Sequence, residues 1–298
     1  MASSMGPIRR MAFGLNVTGS RCGRSSGNSQ SPRGQLKRVG IRRSLGRVRW
    51  TCADFRKPAL WTAWASYVYV AFFSQAPPGD NVFNAKGALV EAINLSLNFW
   101  FVTPAFLPQL APLVDPGLEA IFNFTVIYGF GLILGFLSDG GEKQKTKITP
   151  FVVGSAFLTN AFYLLYLALR KENTVPPTRE EMGTVLFRAS ESKLLPLLML
   201  GVAGISLWWS AFGRGGDNFG DIHQRWTALI QILSTDRLAW TFLLDSAIFA
   251  LFQGALVPDD MARRKFSDPT VKNIASFVPF FGIIFYLLVR PKFDEVQS

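Results

Sequence analysis

The residues with chemistry to offer are acids and amides set inside long apolar runs. Glu91, Asn94 and Asn98 fall at i, i+3 and i+7, so one helix face carries all three. Glu119 and Asn123 repeat the idea at i, i+4, Asn160 stands inside the next run, and Asp245 and Gln253 lie eight apart in a later one. Each such group is costly in hydrocarbon unless it faces a partner or water. Together the eight could line a polar path or a small binding site between helices. The competing reading is structural. Glu91 and Glu119 are within the first turns of their runs, where the helix dipole favours a carboxylate, and asparagines serve as interhelical glue at about 0.6 kcal/mol each. Asp245 fits that reading least well. Arg237, eight residues earlier, is about 12 Å away along a helix, so Asp245 needs a cation from another helix or a proton.

Enzyme signatures are sparse. The single histidine, His223, excludes a multi-histidine di-iron site or a bis-histidine haem and reads as a surface residue. Asp139-Gly140-Gly141, followed by Lys143, Lys145 and Lys147, lacks the spacing and preceding strand of a phosphate loop and reads as a solvated turn. Gly213-Arg214-Gly215-Gly216, with Asp217 to Asp221, reads as a polar loop whose arginine could hold an anionic headgroup. Asp259, Asp260, Arg263 and Arg264 resemble a helix-end charge cluster rather than a metal site. No catalytic residue or metal-ligand set is expected from these residues, and they leave any cofactor unknown.

The elements that must position the polar set are transmembrane helices. The chain of 298 residues is 49% hydrophobic and 17% charged, against about 25% charged in ordinary soluble domains. Six runs approach the ~20 apolar residues of a span: 87–112, 117–138, 149–169, 194–212, 238–257 and 271–290. A shorter aromatic run at 59–76 spans or lies at the interface. The expected fold is therefore all-α, a polytopic transmembrane bundle of six or seven helices. Pro104, Pro108 and Pro112 predict either a kinked or broken helix there or a helix ending near Phe101. Ile222, Trp226, Leu229, Ile230 and Leu233 are at helical spacing and predict one amphipathic helix, lying on the membrane or packed over the bundle. The abundant rings, among them Trp208 and Trp209, suit an interfacial belt and core packing.

Charge divides the chain differently. Residues 1–57 hold 13 of the 31 Lys and Arg but only one of the 20 acids, Asp54, leaving 18 basic and 19 acidic side chains for 58–298. The formal net charge of +11 thus belongs to the N-terminus, and the body offers no surface for nucleic acid. The first 50 residues are rich in Ser, Gly and Arg and carry no acid, the composition of a plastid transit peptide. The expected division is a transit peptide at 1–52 and a helical transmembrane domain at 53–298. Both cysteines, Cys22 and Cys52, lie in or at the edge of the removable part, which argues against disulfides, Cys-ligated zinc and iron–sulfur clusters. With seven spans, Lys and Arg divide eleven to nine between the two sides, which fixes no orientation.

Several segments also resemble a family of polytopic membrane proteins shared by cyanobacteria and plastids, with no assigned biochemical activity. They are Phe157-Leu158-Thr159-Asn160-Ala161-Phe162-Tyr163, Phe212-Gly213-Arg214 with Phe219-Gly220-Asp221, Asp236-Arg237-Leu238, and Phe252-Gln253-Gly254 leading to Asp259-Asp260. The resemblance covers about 59–290 and implies a photosynthetic membrane, thylakoid or inner envelope. The expected function is binding or assisting assembly of a photosynthetic complex, with membrane lipid and complex subunits as partners. The alternative is transport of a small ion or solute through the polar set, against which the sequence shows no internal repeat.

Overall fold

The computed structural model describes residues 52–81, 87–138, 146–171, 177–215 and 218–293. The basic segment assigned to a transit peptide and the Asp139-Gly140-Gly141 turn lie outside the described residues. Every regular element among those described is helical. The order is α1 (Cys52–Val68) continued by a π-turn (Tyr69–Phe73), α2 (Ala88–Leu97), a 3-10 turn (Phe99–Phe101), α3 (Val102–Phe106), α4 (Pro116–Phe136) and α5 (Thr149–Leu169). Then follow α6 (Arg179–Met182), α7 (Thr184–Glu191), α8 (Leu194–Phe212), α9 (Ile222–Thr235), α10 (Arg237–Arg263), α11 (Pro269–Phe277) and α12 (Phe281–Val289). Five helical stretches are long and apolar enough to cross a membrane: Leu89–Phe106, Pro116–Phe136, Thr149–Leu169, Leu194–Phe212 and Arg237–Arg263.

α4 is the central element, packed against α5, α7, α8, α9, α10 and α12. It starts sharply because Asp115 caps it, accepting from the Gly117 and Leu118 N–H groups at 2.9 and 3.1 Å, with Pro116 at the first turn. α10 runs parallel to it: Thr125 meets Ser246, Tyr128 meets Gln253, and the Phe136 carbonyl meets Arg263. α8 runs the other way, since Trp209 reaches Glu119 while Met199 packs on Gly131. α1 is likewise antiparallel to α10. Arg237, at the start of α10, donates to the carbonyls of Val70, Pro77 and Gly79, whereas Leu60 and Leu256 line one cleft.

Three apolar runs do not continue straight; they turn back on themselves. In α5 the backbone leaves the helical region at Leu158 (φ −127°, ψ 46°) and Thr159 (φ 8°, ψ −102°). Fifteen residues of straight helix would separate Phe151 from Tyr166 by about 22 Å, yet their ring centroids are 5.1 Å apart. Gly154 makes the close approach possible, because a Cβ there would fall 2.4 Å from the Phe162 ring. The run 271–290 does the same. α11 ends at Phe277, Phe280 takes φ 62°, and α12 returns so closely that a Cβ on Gly282 would lie 2.5 Å from the Ile274 carbonyl oxygen. The third case is the proline-bearing run 87–112. The helix breaks at Trp100 (φ 52°) and Phe101 (φ 62°), ahead of the prolines, runs one more short helix to Phe106 and then returns. Gly87, Glu91 and Asp115 consequently line the same cavity.

α9 packs one face of the amphipathic stripe over the bundle and leaves the other exposed. Leu229 packs on Gly117 and Ile232 and Leu233 on the α4–α10 core, while Ile222, Trp226 and Ile230 stay exposed. His223 is exposed on this helix.

Candidate functional site

Each of the three turn-backs is clasped by polar side chains of α4 or α10, and these include most of the residues picked out by spacing. At the tip of the α5 hairpin, Thr159 Oγ1 donates to Asp245 Oδ2. The Asn160 amide donates to Asp245 Oδ1 at 2.8 Å and to the Asp245 carbonyl at 3.1 Å. The Tyr67 hydroxyl of α1 lies beside the same carboxylate. Asp245 and Asn160 are both fully buried. The break supplies Thr159 and Asn160 to α10 edge-on, which a continuous helix would not do. Asn160 Oδ1 and the Tyr163 hydroxyl have no hydrogen-bond partner.

At the tip between α11 and α12, Gln253 performs the work of a backbone. Its Nε2 donates to the carbonyls of Ala275 and Val278 at 2.6 and 2.8 Å, and its Oε1 accepts from the Phe280 N–H at 3.1 Å and from the Tyr128 hydroxyl at 2.6 Å. The turn leaves the Ala275 carbonyl and the Phe280 N–H without backbone partners, whereas the Val278 carbonyl also accepts from the Gly282 N–H at 3.0 Å, and an unpaired buried group costs about 1–3 kcal/mol. Phe280 itself is wedged between Tyr128 and Phe124, at centroid distances of 5.3 and 4.6 Å.

At the tip of the first turn-back, Asn123 Oδ1 accepts from the Trp100 N–H at 2.5 Å. Asn98 donates to Glu119 Oε1 at 2.5 Å and to the Pro112 carbonyl at 3.0 Å, tying the descending arm to the returning one. Glu119 is fully buried, so the expectation that it reaches the interface does not hold. Its other donors are Trp209 Nε1 at 2.6 Å and Arg214, through Nε at 3.2 Å and Nη2 at 2.5 Å. Arg214 was expected to offer its charge to a headgroup. Instead it is committed to Glu119 and to the Pro112 carbonyl at 2.7 Å. It takes φ 54°, a left-handed conformation that its glycine neighbours make easier to reach. Arg214 lines an open cavity of about 430 Å³ together with Pro104, Pro108, Trp208, Trp209 and Phe219.

Glu91 and Asn94 are separate from these clusters. They line a different open cavity, of about 600 Å³, with Asp115 and Asp236. Asp115 and Asp236 are occupied as helix caps, Asp236 accepting from the Ala239 N–H at 2.8 Å. The eight residues therefore fall into four places rather than one continuous file: Asp245 with Asn160, Gln253, Glu119 with Asn98 and Asn123, and Glu91 with Asn94.

One buried polar centre was only half visible in sequence. Around Asp260, Arg264 Nε lies at 2.8 Å, Arg290 Nη1 at 3.0 Å and the Tyr286 hydroxyl at 2.9 Å, and Arg263 is at 3.4 Å. Arg264 also forks onto Glu191 at 2.7 and 2.9 Å. The arginines finish helix ends as well: Arg290 donates to the Gly135 and Ser190 carbonyls at 2.7 Å each, and Arg263 to Phe136. Cations at converging helix C-termini meet the negative ends of the dipoles. Glu191 and Arg290 are far from Asp260 in sequence, and no spacing rule links them.

No metal-holding group of three or more His, Cys, Asp or Glu occurs among the described residues. No family model, curated protein or solved structure matches the chain.

Proposed function

We propose that this chain is an integral membrane transporter or channel for a small ion or solute, working in a plastid membrane. The observation that carries it is the set of three helical turn-backs whose tips meet buried polar side chains. Irregular backbone at membrane depth is tolerated where protein or water satisfies it, and discontinuous helices with polar tips are the usual construction of solute sites. In this reading α1, α4, α8 and α10 cross the bilayer. The stretch 87–115 enters as a hairpin from the face where α4 begins, and α5 and the α11–α12 pair enter from the face where α4 ends.

Charge supports that topology independently. Among the described residues, Arg214, Arg225 and Arg237 fall on the face where α4 begins. The other face takes Arg56, Lys57, Lys147, Arg170, Lys171, Arg179, Arg188, Lys193, Arg263, Arg264, Lys265, Lys272, Arg290 and Lys292. Fourteen against three is a strong bias; the same seventeen residues divide eleven against six on seven straight spans. Basic residues stay on the side from which a chain is inserted, so the α4 C-terminal face is the stromal one.

The plastid setting rests on the composition of residues 1–50 and on the resemblance of 59–290 to the cyanobacterial and plastid family. The same two features support the assembly reading, along with exposed rings such as Phe106, Trp208 and Phe277.

Purified full-length chain in proteoliposomes, assayed with a panel of protons, alkali cations, halides and small organic solutes, tests the proposal. Flux of one of them above that of empty vesicles, lost in Asp245→Asn at equal incorporation, is expected. Absence of flux across the panel, with co-migration of the native chain with a photosynthetic complex, would overturn it in favour of assembly.

A further inference from the structure

Asp245 differs from the other fully or nearly buried acids of the described body. Glu119 has Arg214 against it, and Glu191 and Asp260 share three arginines. Asp245 has only neutral groups: Thr159 and Asn160 from α5 and Tyr67 from α1. The neighbouring residue on its own helix, Ser246, is held by Thr125 of α4 at 3.0 Å, and Phe249, one turn on, packs against Tyr128 and Tyr163. No Lys, Arg or His among the described residues bonds to it. An ionised carboxylate in so apolar a surrounding is expensive unless a positive charge accompanies it.

The site is also not filled by its own hydrogen bonds. Asn160 is fully buried and turns its Nδ2 onto Asp245, yet its Oδ1 has no partner. A buried acceptor left unpaired calls for an explanation, a bound ion among them. The lone pairs at hand are all on oxygen: the Asp245 carboxylate, Thr159 Oγ1, the Tyr67 hydroxyl beside the carboxylate, and the unpaired Asn160 Oδ1. Oxygen donors with a single carboxylate suit a hard cation of charge one.

We infer that Asp245, closed over by the α5 hairpin tip, is the binding site for one monovalent positive charge, a proton or an alkali-metal ion. The inference rests on the transport reading and supplies its coupling or transported species. Binding neutralises the carboxylate: a proton forms an O–H bond on one carboxylate oxygen, or an alkali ion pairs with the carboxylate among its neutral oxygen neighbours. No other bond is made or broken. Because Thr159 and Asn160 lie at the tip, neutralising Asp245 changes what holds the hairpin against α10.

Infrared difference spectroscopy of the purified full chain in lipid, with and without ¹³C-aspartate, reads the carboxyl directly. The proton arm predicts a protonated-carboxyl band that shifts on labelling, disappears on raising pH and is absent from Asp245→Asn. The alkali arm predicts that sodium or potassium at fixed pH alters the carboxyl bands saturably, again only with Asp245 present. If Asp245→Asn does not accumulate, the label shift in the unsubstituted protein still assigns the band to aspartate, and Asp245→Glu must move it. A carboxylate that stays ionised and unresponsive to both pH and alkali cations overturns the inference. Binding without flux in proteoliposomes would instead overturn the transport reading and leave this site standing.

Discussion

Gln253 stands in for the hydrogen bonds that the turn at Phe280 removes. Its Oε1 accepts the Phe280 N–H at 3.1 Å, while its Nε2 serves the Ala275 and Val278 carbonyls at 2.6 and 2.8 Å. One amide thereby holds both arms of the α11–α12 hairpin to α10. Replacement by leucine preserves bulk, leaves the buried Ala275 carbonyl unpaired and removes one of the two partners of the Phe280 N–H and of the Val278 carbonyl. At about 1–3 kcal/mol for a buried group left unpaired, Gln253→Leu is expected to lower the melting temperature markedly in detergent or lipid. Gln253→Glu keeps an acceptor for Phe280 but faces two carbonyls with oxygen, and should also destabilise. A melting temperature unchanged in both variants would show that the amide does not support the turn.

Glu119 and Arg214 form a buried pair joining the α4 start to the loop after α8. Removing one member of such a pair costs about 3–5 kcal/mol, because the other is left charged and buried. Glu119→Gln and Arg214→Met are each expected to destabilise severely. The double variant should lose less than the sum of the two. Additive losses in that cycle, measured by thermal unfolding, would mean that the two side chains act independently.

Helix content and much of the polar inventory were legible from the sequence, for a physical reason: apolar runs near 20 residues and isolated polar side chains within them are local features. Asn98, Glu119, Asn123, Asn160, Asp245 and Gln253 are all fully buried. What spacing could not reveal is direction. A run such as 149–169 has the hydropathy of a span, and whether it proceeds or doubles back depends on two residues, Leu158 and Thr159, neither of which is Gly or Pro. The first break similarly occurs at Trp100 and Phe101 rather than at the prolines, because Asn123 rewards the exposed Trp100 N–H. In each case the signal lies in a partner on another helix, as with Arg290 and Glu191 at Asp260.

Doubling back can be tested by proximity. With Cys22→Ser and Cys52→Ser as background, cysteines replacing Phe151 and Tyr166 should be joined by a short bifunctional thiol reagent, since the native rings are 5.1 Å apart. In a straight helix the two would be about 22 Å apart and would remain separate. Single cysteines at Lys193 and Lys272 should be labelled from one side of oriented membranes, and those at Asp80 and Asp221 from the other. Labelling of Lys193 and Asp221 positions from the same side contradicts the four-crossing arrangement.

Glu191 links stability to pH on the basic face. Burial alone would raise its pKa, but the Arg264 hydrogen bond, the charges of Arg290 and Arg264 and the Phe293 N–H outweigh it and hold the carboxyl below its ordinary value. A depressed native pKa means that the unfolded chain binds the proton more readily. The stabilisation is therefore fully present above the unfolded value of about 4.3 and is lost as pH falls through the lower native value. In Glu191→Gln the side chain no longer titrates, while Arg264 and Arg290 keep only Asp260 as an anionic partner. The variant should be less stable than the parent at pH 7, and the difference should shrink as pH falls below the ordinary carboxylate range. Thermal unfolding of both proteins across that range measures it. A gap that stays constant with pH would show that Glu191 holds the α7–α10–α12 junction by shape and hydrogen bonding rather than by charge.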